Sequence, residues 1–172
     1  MKINKNSGKN IRILGVDPGT ATVGWAVLEE KAGKLESVAY GHISTDKKNS
    51  VSHRLSEISR DLRKIIAQYK PQEAAVEDIF FFKNAKTVIK VSQARGAILL
   101  TLEQLNVIIS EYTPLQVKQA LTGYGRADKN QVQQMTKRIL GLKSIPKPDD
   151  AADAIAVALC HINSRKMAQI SK

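Results

Sequence analysis

The chain has a single cysteine, Cys160, in 172 residues. Neither a disulfide framework nor a cysteine-rich zinc site can be built from it, which suits a reducing, cytoplasmic compartment. The three histidines, His42, His53 and His161, add no histidine–cysteine set and read as structural or surface residues. No apolar run is long enough to span a bilayer, and the opening "MKINKNSGKN" leads into no signal-peptide core. Acids are also few: 16 Asp and Glu stand against 27 Lys and Arg, giving a net charge of +11 and a pI near 9.8. Such a field attracts polyanions, nucleic acid first among them. Phenylalanine is rarer still, and all three copies are consecutive, Phe80, Phe81 and Phe82.

What remains is the composition of one soluble globular domain, 42% hydrophobic and 25% charged. After a basic tail over residues 1–10, "IRILGVD", "VGWAVLEE" and "LESVAYGHI" read as three strands in an antiparallel meander, linked by turn residues. From Ser50 the period changes. Leu55, Ile58, Leu62, Ile65, Ile66 and Tyr69 form one helical stripe that Pro71 ends. "EAAVED" predicts a fourth strand, "NAKTVIKVSQARGAILLTLEQL" a long helix whose Gly96 suggests close packing, and "NVIISEY" a fifth strand. Pro114 opens a short helix, and Asp128 with Gln131 marks a capping box before "KNQVQQMTKRIL". A last helix starts near "PDDAADAIAVALCH". With no internal repeat, this predicts a single mixed α/β domain over residues 11–165, with 166–172 as a tail. Trp25 is expected in its core.

Four acids stand out against the basic background. Asp17 ends the first strand, before Pro18 and Gly19; alone it reads as a turn-former. No GxxxxGK[ST] loop is present, so a nucleoside-triphosphate cradle is disfavoured. Glu77 closes the fourth strand, where an acid can equally be solvated. Asp150 and Asp153 are three apart, on one face of a helix, although acids in a first turn also favour the helix dipole. Together they suggest an oxygen-ligand site for magnesium or manganese, because clustered carboxylates repel unless protonated or neutralised. Two such ions about 4 Å apart can activate water against a phosphodiester.

These residues carry a resemblance. "GVDPGT", "AAVEDIFFFKNAKT", "QARG", "QVKQALTGYGRADKNQV" and "DDAADAIAVALCH" resemble, in order and approximate spacing, the RuvC family of Holliday-junction resolvases. The likeness runs from about Ile11 to about His161. It implies a ribonuclease-H-like fold with a five-stranded mixed sheet flanked by helices. It also implies a metal-dependent endonuclease, acting as a homodimer on four-way junction DNA and leaving 5′-phosphate and 3′-hydroxyl ends. Asp17, Glu77, Asp150 and Asp153 would hold Mg²⁺, two ions per subunit, with Mn²⁺ able to substitute; Asp149 is a rival to Asp150. Lys118 and Lys129 would sit beside the scissile phosphate as catalytic cations.

Phe80 would stack on bases, with Phe81 or Phe82 in reserve, and Lys83, Asn84 and Arg126 would contact DNA. A branch-migration helicase complex of RuvA and RuvB type is the implied partner, with no membrane. The long helix, through Val88, Val91, Ile98 and Leu102, is the candidate dimer contact. Two alternatives stand: a non-catalytic junction-binding module, or a ribonuclease H acting on RNA–DNA hybrids. An actin-like ATPase or sugar kinase shares the Asp-x-Gly-Thr motif but needs a longer, two-lobed chain.

Overall fold

The computed structural model describes residues 10–79 and 85–170. Three antiparallel strands come first, β1 (Ile11–Asp17), β2 (Thr22–Lys31) and β3 (Lys34–Ser44), followed by helix α1 (Val51–Tyr69). Strand β4 (Glu73–Glu77), helix α2 (Ala85–Gln104) and strand β5 (Ile108–Tyr112) then alternate. Helices α3 (Pro114–Thr122), α4 (Lys129–Ile139) and α5 (Asp149–Ile170) complete the chain, so α5 continues past the expected boundary at 165. No helix among the described residues is long and apolar enough to cross a membrane.

The sheet order is β3-β2-β1-β4-β5, with β1 antiparallel to β2 and parallel to β4, and β4 parallel to β5. Strand β1 is therefore central, and its apolar run is buried on both faces. Ile13, with Ala26, Leu28 and Ala75, faces α5. Leu14 and Val16, with Val23, Val27, Ile43, Ala74 and Val76, face α1 and α2. The predicted stripe of α1 supplies Ile58, Leu62, Ile65 and Ile66 to that second core. The result is three layers, helices on either side of a mixed sheet.

Two expectations about α2 are corrected, while Trp25 packs against the second core as expected. Ile98 and Leu102 are fully buried in the second core and cannot be a dimer contact. A methyl group at Gly96 would meet nothing within 4 Å, so this glycine serves no close packing inside the chain. Trp25 is only partly buried, its ring 5.8 Å from that of Tyr69 and lying over Gly41.

Candidate active site

Chain direction reverses in sheet order at β1. From β1 the chain passes to β2 on one side, and it later returns as β4 on the other. In α/β sheets, a crevice forms outside the carboxyl ends of parallel strands at such a switch point. The last paired residues of β1 and β4 are Val16 and Val76, so Asp17 and Glu77 leave the sheet side by side at its carboxyl edge.

Helix α5 brings the other two acids there, and glycine decides how near it comes. A methyl group at Gly15 would lie 2.0 Å from the Ala154 carbonyl oxygen, and one at Gly24 would lie 1.9 Å from that of Asp150. Gly24 is also the β2 partner of Asp17. The absent side chains thus let the alanine-rich start of α5 lie directly on β1 and β2, next to Asp17. Asp150 acts on the charge of Asp17, whereas Asp149 is exposed and pairs with Lys147 at 3.0 Å. This geometry favours Asp150 over Asp149 as the inward member of the pair.

The carboxyls interact strongly. Burial, then the charges of Glu77, Asp153 and Asp150, push Asp17 up to about 8. Burial and the charge of Asp153 raise Glu77 to about 7, against a hydrogen bond from Asp17 and the pull of Lys118 and Lys129. Burial also raises Asp153, although a hydrogen bond from Lys129 opposes it. Asp17 and Glu77 face each other closely enough that each resists the ionisation of the pair, so together they hold charge less readily than free carboxyls do.

The cations are carried by capped helices. Thr113 and Gln116 form a capping box at α3, which bears Lys118. Asp128 and Gln131 do the same for α4, as expected, and Lys129 is its first residue. Lys129 Nζ lies 2.9 Å from Asp153 Oδ2 and 3.5 Å from Asp149 Oδ2. Partial burial works against its ammonium, but these two acids outweigh burial and raise its pKa. Arg126 is exposed in the loop before α4. Phe80, Phe81, Phe82, Lys83 and Asn84 lie outside the described residues.

The donor set suits a hard divalent cation: four carboxylates, two of them raised by burial and by neighbouring charge, a cost that a cation relieves. No three such acid, imidazole or thiol groups among the described residues already stand around one point as a finished cage. The site is an open cluster with Lys129 bonded at its edge.

Elsewhere, His161 is structural as expected. It is buried, with Nδ1 2.8 Å from the Tyr112 hydroxyl and Nε2 2.6 Å from Glu73. Gly15 and Gly24, which let α5 lie against β1 and β2, are residues that sequence reasoning passed over. The signal for the glycines was present, in small residues on adjacent strands facing the "AADAIAVA" of a helix.

The family model for crossover junction endodeoxyribonuclease RuvC matches residues 13–161. The crossover junction endodeoxyribonuclease RuvC of Halothermothrix orenii is 54% identical over 155 residues, covering 90% of this chain and 94% of that one. That of Syntrophomonas wolfei is 49% identical over 157 residues, covering 91% of each. The structure of Thermus thermophilus RuvC in complex with Holliday junction substrate superposes with a TM-score of 0.87 at 33% identity, covering 92% of this chain and 96% of that one. The expected ribonuclease-H-like architecture is thus the one observed. An acid cluster at the switch point of such a sheet, in a basic chain matched over nearly its whole length, leads to one conclusion: the chain belongs to the RuvC family of crossover junction endodeoxyribonucleases.

Proposed function

We propose that this protein resolves four-way DNA junctions by paired, metal-dependent nicks that leave 5′-phosphate and 3′-hydroxyl ends. One observation carries the reading: Asp17, Glu77, Asp150 and Asp153 come close enough to act on one another's charge, in a chain of net charge +11. Such a cluster is costly unless a cation completes it. The ions best suited are two Mg²⁺ per subunit, with Mn²⁺ as a substitute, held by these four acids. When bound, they supply the positive charge that eases deprotonation of an attacking water and steadies the departing oxygen.

The chain's own groups do the rest. Asp17 and Glu77, once ionised with their protons lost to solvent, would be ligands. Lys129, held at the edge of the cluster by Asp153 and Asp149, presents an ammonium where charge grows on the scissile phosphate. Lys118, whose charge already reaches Glu77, assists from α3. Arg126 contacts phosphate, and Phe80, Lys83 and Asn84 retain their assignment to base stacking and strand contact.

Two symmetric cuts need two sites related by a two-fold axis, and so a homodimer. Its contact is the outward face of α2. Ile89 and Leu100 are 59% and 57% exposed, and Gly96 lies open on the same side. The single thiol, buried with its pKa pushed up to about 11, suits the reducing cytoplasm where this reading locates the protein. A RuvA and RuvB type helicase complex would deliver the junction.

The test uses a synthetic mobile four-way junction, a linear duplex and an RNA–DNA hybrid, each with and without Mg²⁺. Paired, ligatable nicks on the junction alone, only with the ion, are expected. Cutting of the hybrid in preference would make the protein a ribonuclease H; tight junction binding with no cutting would make it a binding module.

A further inference from the structure

Directly behind the acid cluster lies a second constellation of charge, on α2 and the ends of β4 and β5. The guanidinium of Arg95 is largely buried, its side chain 19% exposed. One of its terminal nitrogens lies 3.1 Å from Asp78 Oδ1 and also bonds Glu111 Oε2. Asp78 follows Glu77 in the chain, and Glu111 precedes Tyr112, the β5 partner of Glu77. The Asp78 amide donates to the Tyr112 carbonyl at 2.8 Å, continuing the ladder one residue past Glu77. The same Asp78 Oδ1 that meets Arg95 accepts the Ile79 amide at 2.8 Å, fixing the direction in which the chain leaves the sheet.

Glu77 is therefore held from both sides: Val76 before it is fully buried, and Asp78 after it is clamped. Arg95 Nε is buried with no hydrogen-bond partner among the described residues. An unpaired buried donor is costly, so the contacts of the terminal nitrogen are what offset the burial of this guanidinium. It is placed where one cation spans two carboxylates on neighbouring strands.

We propose that Arg95 is a positioning residue for Glu77: by bridging Asp78 and Glu111 it sets where the end of β4 presents the Glu77 carboxylate to the metal-binding cluster. Arg95 forms no ion pair with Glu77 among the described residues; its contacts are to Asp78 and Glu111, the residues on either side of the Glu77–Tyr112 pair. A lysine keeps the charge at 95 but has a shorter reach and lacks the planar guanidinium that fixes the direction of the nitrogen meeting both carboxylates.

The proposal rests on the metal-site reading above, and its test separates the two. Thermal melting of the full protein, without DNA, is followed against MgCl₂ or MnCl₂ concentration for wild type, Arg95→Lys and Glu111→Gln. Wild type should be stabilised by the ion. Both variants should fold, yet need about tenfold more metal for the same stabilisation, as is usual when a partner behind a ligand is lost. Half-maximal junction cutting should move to higher metal by the same factor, while metal-free junction affinity stays within twofold. If both variants melt lower without metal but keep the wild-type metal dependence, Arg95 is only a structural brace and the proposal is overturned. If metal fails to stabilise wild type, the metal reading falls and the proposal with it. Glu111→Gln keeps the test open should Arg95→Lys fail to fold.

Discussion

At the residue scale, burial and neighbouring carboxylates penalise full ionisation of Asp17 and Glu77 and raise both. Folding raises Asp17 from 3.8 to about 8, so the native state binds a proton that the unfolded chain releases. The sign of the pH dependence follows: the cost is absent below about pH 4, grows as pH rises, and is complete only above about pH 8. Asp17→Asn removes it. Metal-free Asp17→Asn should melt a few degrees above wild type near pH 8.5 and no higher near pH 4, where about 1 kcal/mol corresponds to about 2–4 °C. Calorimetry at the two pH values measures this, and an equal or lower melting point at the higher pH would contradict the placement of Asp17. Its position at a strand end was legible from an apolar run closed by Pro-Gly. Its raised pKa was not, because it arises from burial and from Glu77, Asp150 and Asp153, which only folding brings near. The Lys129–Asp153 bond is hidden for the same reason, spanning a helix, a loop and a helix start.

At the element scale, periodicity and capping made the architecture legible. The α1 stripe, the Asp128–Gln131 box and Pro114 each mark a helix by local chemistry, and local chemistry survives in the fold. Faces were harder to read. Helix α2 is apolar around much of its circumference, so Ile98 and Leu102 looked available although they turn inward, while Ile89 and Leu100 turn out. Only the position of α1 against α2 and of the sheet beneath decides between them. Close approach was also invisible, since it belongs to two elements at once. Gly24 makes room for the Asp150 backbone, so Gly24→Ala forces the first turn of α5 away from β2. Overpacking of this kind costs about 1–3 kcal/mol. A melting point lowered by several degrees, together with weaker metal activation of cutting, is expected. Unchanged values of both would show that α5 does not set the site.

At the scale of the whole molecule, the proposed function separates a basic surface that would gather DNA from a small acidic centre that would cut it. On that reading binding and cutting rest on different residues, and a second copy of the chain would cut the second strand. Leu100→Glu places a charge on the outward face of α2 and should convert the dimer to monomer in light scattering at micromolar protein. It should leave the metal-free fold intact, and paired cuts should give way to single nicks. An unchanged mass would move the interface elsewhere. The central claim, that four carboxylates from three elements form one metal-dependent cutting centre, is tested most directly by neutralising them one at a time. Asp17→Asn, Glu77→Gln, Asp150→Asn and Asp153→Asn are each assayed in Mg²⁺ on a mobile four-way junction, with junction affinity measured alongside. The account predicts that every variant loses cutting by on the order of 10³-fold or more, with affinity within a few-fold of wild type. Normal cutting by Asp17→Asn and Asp150→Asn would contradict it.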